Sequence, residues 1–168
     1  MRSTFFTSLF LFGFFSCSFC QIKSTEKEIG DSIYTARPDD KEMNLAIETA
    51  RSTLGQFQKA LLSNKFDKST FDLKVKFPMP SGGDEHIWIT HITYKVGKYF
   101  GIVGNIPEDT KKVKLDDKIE INNADITDWF YGDNGVLRGG YTIKVIRSRF
   151  SKEERIQFDA ELPFKIED

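Results

Sequence analysis

Residues 71–77 read Phe71-Asp72-Leu73-Lys74-Val75-Lys76-Phe77, apolar and polar side chains in strict alternation. In an extended chain this period of two sends the apolar side chains to one side and the charged ones to the other, so the segment is predicted to be a half-exposed β-strand. Pro78, Pro80, Gly82 and Gly83 stop it. Beyond them, Glu85 to Lys95 and Lys98 to Gly104 form a predicted hairpin across Val96-Gly97, and Lys118 to Ile121 is a short strand after the Asp116-Asp117 turn. Phe130-Tyr131 and Tyr141 to Ile146 read as strands flanking a turn at Gly132-Asp133-Asn134-Gly135, with Gly139-Gly140 marking a bulge or a close backbone approach. These connections are too short for helical crossovers, which makes the sheet mostly antiparallel.

The apolar face of such a sheet needs a partner, and the preceding segment supplies one. Met43, Ile47, Ala50, Leu54, Phe57 and Leu61 recur at spacings of four and three, with Glu48, Arg51, Ser52 and Lys59 off that stripe. Asp39 is expected to cap this helix with Glu42 three residues on, and Asn64 to end it. At the other end of the chain, Ser151-Lys152-Glu153-Glu154 is a capping box opening a last helix that carries Ile156 and Ala160. Helices bracketing a run of strands place the chain in the α+β class: a mostly antiparallel sheet packed by a long N-terminal helix, with a short C-terminal helix.

The N-terminus has a different composition. Seven of the 16 Phe and both Cys of this 168-residue chain fall in its first twenty residues. Arg2 precedes the apolar run Phe5 to Phe15, which is shorter than the roughly 20 residues a spanning helix needs and has the layout of an export signal. Residues 1–20 are therefore read as a signal peptide. Phe14-Phe15-Ser16-Cys17 is a loose lipobox that would put a lipid on Cys17; cleavage near Ser18-Phe19-Cys20, leaving Gln21 first, is the competing reading. Residues 21–37 are polar and aperiodic, a flexible spacer, and residues 38–168 form a single domain. The expected location is exported: periplasmic or an outer-envelope lipoprotein, otherwise secreted, with membrane contact only through the N-terminal lipid.

A net charge of -1, with basic and acidic residues interleaved, gives no support to nucleic-acid binding. The domain has no Cys, which excludes disulfides, a Cys nucleophile and thiolate metal sites from it. The two histidines, His86 and His91, are five apart on one predicted strand, so a regular strand sends them to opposite faces and they cannot share a metal. His86 is placed on one face with Trp88, Ile92 and Tyr94. Asp125 and Asp128 are three apart, where a helical turn would pair them as acid and base; the competing reading has Asp125 capping a turn and Asp128 bonding amides beside Trp129. No nucleophile elbow, phosphate-binding loop or dinucleotide fingerprint is present in the sequence, and no cofactor is implied. Trp88, Tyr99, Trp129, Tyr131 and Tyr141 either line a groove that stacks a sugar or peptide or form ordinary core.

Glu85-His86-Ile87-Trp88, Gly101 to Pro107 (GIVGNIP), Asp117 to Ile121 (DKIEI), Asp125 to Tyr131 (DITDWFY) and Gly139 to Val145 (GGYTIKV) stand in a specific order. That order resembles the YegJ-like bacterial proteins, domain of unknown function 2314. The likeness takes in Asp39 to Asn44 and Ser151 to Arg155, and runs from about Asp39 to Glu161. The family often has Gly where this chain has Asp116, which suggests a different turn. The resemblance implies a small exported or domain-embedded module and transfers no catalytic residue. It focuses attention on a polar and aromatic patch of Glu85, His86, Trp88, Asp125, Asp128, Trp129, Tyr131 and Tyr141, if the strands bearing them are neighbours. The expected function is a non-catalytic binding or interaction module for an envelope component or another protein. The alternative is a hydrolase-like enzyme using Glu85 or Asp128 with His86.

Overall fold

The computed structural model describes residues 40–63 and 65–167. The expected export signal, spacer, Asp39 cap and helix end at Asn64 lie outside the described residues. Helix α1 (Lys41–Leu62) is followed by β1 (Asp72–Pro78), β2 (Asp84–Lys95), β3 (Lys98–Val103), β4 (Lys118–Ile121), β5 (Ile126–Asp133), β6 (Val136–Gly139), α2 (Tyr141–Ser148) and α3 (Lys152–Glu161). The strands form one sheet in the order β4-β3-β2-β1-β5-β6, each neighbouring pair antiparallel. This is the α+β architecture read from the alternating and helical periods.

Helix α1 begins one residue later than the sequence suggests. Asp40, not Asp39, is the N-cap and accepts from the Met43 amide at 3.1 Å, while Glu42 joins Asp40 in binding Arg149 from the end of α2. At the far end Lys68 Nζ donates to the Leu61 and Ser63 carbonyls, satisfying groups the helix leaves open. The buried face is Met43, Ala46, Ala50, Phe57, Ala60 and Leu61, whereas Ile47 and Leu54 are only half-buried. The stripe turns toward its alanines because small side chains let the helix axis approach the sheet closely.

The sheet curls around this helix. The Phe57 ring lies 6.1 Å from Tyr99 on β3 and 5.7 Å from Trp129 on β5, although β2 and β1 run between those strands and would hold them roughly 14 Å apart in a flat sheet. Two bulges mark the bends. In β5 the register steps from Lys74↔Asp128 to Val75↔Ile126, leaving Thr127 extra. In β2 it steps from Thr90↔Ile102 to Thr93↔Phe100, with His91 at φ 52. The second bulge overturns an expectation: Ile92 and Tyr94 pack in the helix-side core with Ile87 and Ile89, so they do not share a face with His86 and Trp88. A strand can be read with period two only between its bulges.

The β2–β3 hairpin turns at Val96-Gly97 as expected, with φ of 50 and 80. Both values suit a type I′ turn, which favours Asn-Gly and penalises a β-branched side chain. Val96 is wholly exposed and has no packing to compensate. Val96→Asn is expected to stabilise the domain by about 1 kcal/mol, visible as a raised Tm; an unchanged or lowered Tm would show that the turn is not strained. Asp116, at φ 67, stands in the left-handed conformation that glycine favours.

The larger departure is at residues 141–146, expected as a strand and found in α2. The hairpin closes earlier, at Asn134-Gly135, and its return strand is β6. Gly139 then stands at φ 79 with its α-carbon against Trp129, where a Cβ would lie 2.2 Å from the Trp129 carbonyl oxygen. Gly140, at φ 63, turns the chain out of the sheet and N-caps α2. The close approach read from the glycine pair is present. Tyr-Thr-Ile-Lys-Val-Ile has the composition of a strand, but propensity yields here to the tertiary bonds that hold the helix start.

On the sheet face away from α1, Trp88, Phe130, Leu137, Ile143 and Ile166 form a second core, with Phe158, Leu162 and Phe164 packed against it. Helix α3 opens with the expected capping box between Ser151 and Glu154. Its inward residues are not the expected ones, because Ile156 is 61% exposed and Ala160 is exposed while Phe158 packs. Arg147 grips the Asp159 carboxylate at 2.7 and 2.8 Å and ties α2 to α3. The outer edge of β6 is covered by the tail through Val136↔Lys165, which leaves β4 as the short, charged open edge.

Candidate functional site

The patch read from the sequence divides between the two faces of the sheet. Trp129 and Tyr131 point into the core under α1, with the Tyr141 ring edge-on to Trp129 at 5.7 Å. Trp88 belongs to the opposite core, where it meets Phe130 at 4.9 Å. With Trp88, Tyr99 and Trp129 only 9%, 1% and 2% exposed, these three aromatics are core. The Trp129 indole N–H donates to the Ala50 carbonyl at 2.9 Å, a polar tie between sheet and helix.

Glu85 looks toward neither the histidine nor the aspartates. Its carboxylate accepts from the amides of Glu108, Asp109 and Thr110 at 2.7, 3.1 and 2.8 Å, and so shapes the long loop that follows β3. Burial works against its charge, but these three bonds together with Lys111 outweigh that effect and hold its pKa below the usual carboxylate range. Asp125 sits on a short 3-10 turn and accepts from the Asn122 side chain at 3.1 Å. The turn is capped by Asn122 rather than by Asp125.

Asp128 is fully buried and fully engaged. Its Oδ1 accepts from the amides of Trp129 (2.8 Å) and Tyr141 (3.1 Å), and its Oδ2 from the amide (2.8 Å) and hydroxyl (2.6 Å) of Thr142. Tyr141 and Thr142 are the first two residues of α2, whose N-cap, Gly140, has no side chain. A carboxylate on β5 therefore caps a helix thirteen residues later, where unpaired amides and the helix dipole favour negative charge. Burial raises its pKa above the ordinary carboxylate value, and the Thr142 bonds, the Lys74 charge and the Trp129 amide offset that rise only in part. Four donors converging on one group are what an ionised carboxylate requires.

Lys74, read in the sequence only as the solvent side of an alternating strand, belongs to this cluster. Its ammonium lies 4.9 Å above the Trp88 ring and 3.5 Å from the Thr142 hydroxyl oxygen. Burial lowers its pKa, opposed by the Asp128 charge. His86, two positions along β2 from the Trp88 that pairs with Lys74, bonds the Thr127 hydroxyl through Nδ1 at 2.9 Å. Burial, then the Lys74 charge, drive its pKa down to about 4, with Lys76 and Arg51 adding to the effect and Asp84 opposing it, so the imidazole is neutral near neutral pH. Asp72, also read as exposed, is the reverse case. Burial pushes its carboxyl up to about 7, and its buried Oδ1 has no hydrogen-bond partner. Alternation marks the face of Lys74 and Asp72 correctly; it carries no signal that α2, α3 and the tail cover that face.

Glu85, His86 and Asp128 thus do not converge on a common point. Among the described residues no group of three His, Asp or Glu side chains could hold a metal ion, and no helix is long and apolar enough to cross a membrane. A concave surface lies at the opposite end of the sheet, where a cleft of about 450 Å³ opens between the loop after α1 and the β5–β6 turn. Sequence reading misses it because its walls come from segments more than sixty residues apart.

A family model described as an uncharacterized protein conserved in bacteria, DUF2314, matches residues 40–166. The chain is 34% identical over 136 residues to the uncharacterized protein YegJ of Escherichia coli K12, covering 80% of this chain and 86% of that one. It is 32% identical over 140 residues to a putative ankyrin repeat protein of Neisseria meningitidis serogroup B, covering 79% of this chain and 55%, about half, of the relative. No solved structure gives a significant match.

Proposed function

The chain belongs to the bacterial family DUF2314, and from that premise we propose that it works as an exported, non-catalytic interaction module of the cell envelope. One observation carries the reading: the carboxylates best suited by sequence to acid–base work are spent on their own backbone. Asp128 accepts three amides and a hydroxyl, which fill its acceptor positions, and Glu85 accepts three amides of its own loop, which fix its carboxylate there and leave it one position. His86 is kept neutral and bonded to Thr127, with no carboxylate hydrogen-bonded to it among the described residues. The Neisseria relative supports the same reading, since a module found in an ankyrin repeat protein keeps company with a scaffold whose concave faces serve binding. Export rests on the sequence of residues 1–20, and the partner is an envelope component or another exported protein.

Two measurements test this reading. Intact mass of the protein recovered from a bacterial envelope fraction is expected to show either a diacyl-modified Cys17 or a chain starting near Gln21; a chain retaining Met1 in the cytoplasm would remove the export claim. Turnover of ester, glycoside, phosphoester and peptide substrates is expected to be absent. Turnover that disappears in a folded His86→Ala variant would instead establish the hydrolase reading.

A further inference from the structure

We propose that the cleft beside the β5–β6 turn binds a small zwitterion with an apolar side chain, an apolar amino acid or dipeptide with both termini free. This rests on the interaction-module reading and gives that module a ligand class. The cleft is half open and, at about 450 Å³, falls within the range of small-molecule sites. Its walls are two aromatic rings held from behind. Phe66 is backed by Tyr131 at 5.0 Å and Phe71 at 6.5 Å. Phe164, from the C-terminal tail, sits edge-on to Phe130 at 6.1 Å and lies over Gly132, where a Cβ would fall 2.3 Å from the ring. Gly132 is what lets that ring form a wall.

The polar groups of the cleft sort into spent and unspent. Thr70 accepts from the Gly132 amide and donates to the Asp67 carbonyl, and Asp133 is taken up by Arg138 and Asn134. Lys65 has no carboxylate partner among the described residues. Asp67 accepts from Ser69 through Oδ1 only, leaving Oδ2 without a donor among the described residues. One ammonium and one carboxylate oxygen therefore stand uncommitted beside fixed apolar walls. A zwitterion satisfies both and brings no net charge into the cleft, its carboxylate toward Lys65, its ammonium toward Asp67 and its side chain between Phe66 and Phe164. A neutral saccharide would leave the ammonium unused.

The test uses the mature full chain with L-leucine, L-phenylalanine and Leu-Leu, each also in N-acetylated and C-amidated form, and N-acetylglucosamine, followed by calorimetry and thermal shift. The free zwitterions are expected to bind and raise the Tm, and blocking either terminus to weaken binding about tenfold or more. Lys65→Gln should erase the preference for a free carboxylate, Asp67→Asn the preference for a free amine, and Phe66→Ala should abolish binding in a chain whose folded spectrum is intact. Equal binding of free and blocked forms, or no binding at millimolar concentration, overturns the proposal. N-acetylglucosamine binding alone also overturns the ligand class while leaving the interaction-module reading intact; His86-dependent turnover removes that reading whatever the cleft binds.

Discussion

Asp128→Ala is expected to cost about 3–5 kcal/mol of stability, the loss typical of removing one member of a buried, fully hydrogen-bonded charged group. Three amides, two of them fully buried, would lose their acceptor, and α2 would lose the carboxylate at its N-terminus. Lys74 would keep a buried ammonium without the carboxylate whose field supports it. Asp128→Asn should be milder yet still costly: one oxygen can keep the Trp129 and Tyr141 bonds, but the new NH2 would face the Thr142 amide, donor against donor. For a domain of this size these losses amount to a Tm fall of about 10 °C or more, read by thermal unfolding with loss of α2 protection in hydrogen exchange. An Asn variant melting within a degree or two of the parent would mean that Asp128 is not structural, and would make it a catalytic candidate again.

Stability against pH should expose two opposing groups. Asp72 has its folded pKa raised from 3.8 to about 7, so between those values the unfolded chain binds fewer protons and stability falls as pH rises, by about 4 kcal/mol at most. His86 has its folded pKa lowered from 6.5 to about 4, so its contribution is complete above 6.5 and is lost as pH falls through that window, by about 3 kcal/mol at most. From pH 4 to 6.5 the two slopes largely cancel, and only above 6.5 does the Asp72 penalty grow unopposed. Single substitutions should uncover each slope. Asp72→Asn should give a domain that loses stability on acidification, and His86→Gln one that loses stability as pH rises toward 7. Urea midpoints across this range measure both, and parallel profiles for the parent and both variants would show that neither group titrates as its burial requires.

The residues that carry these effects are unequally legible in the sequence. Asp128 stands out there, with amide bonding beside Trp129 as one of its two readings, because a short carboxylate next to a turn bonds backbone readily. The identity of those amides is not legible, since two of them belong to a helix that the sequence presents as a strand. Glu85 has the chemical type of an acid–base residue, but its carboxylate serves the loop after β3 instead. Lys74 and Asp72 carry no mark at all, because alternation in β1 distinguishes two faces but cannot tell which of them a later part of the chain will cover.

By itself the sequence determined the α+β class, the long first helix, the β2–β3 hairpin, the short β4, the capping box of α3 and the family. The structural features among these are written in local periods, turn residues and caps, which act over a few neighbouring positions and need no distant partner. Only the tertiary structure decided that residues 141–148 are helical, that a bulge moves Ile92 and Tyr94 to the helix side, that the aromatics are core and that a cleft forms at the β5–β6 turn. Those outcomes rest on bonds and contacts between segments far apart in the chain, and the energy of a remote cap or a covering layer outweighs local propensity without leaving a trace in the residues it overrides.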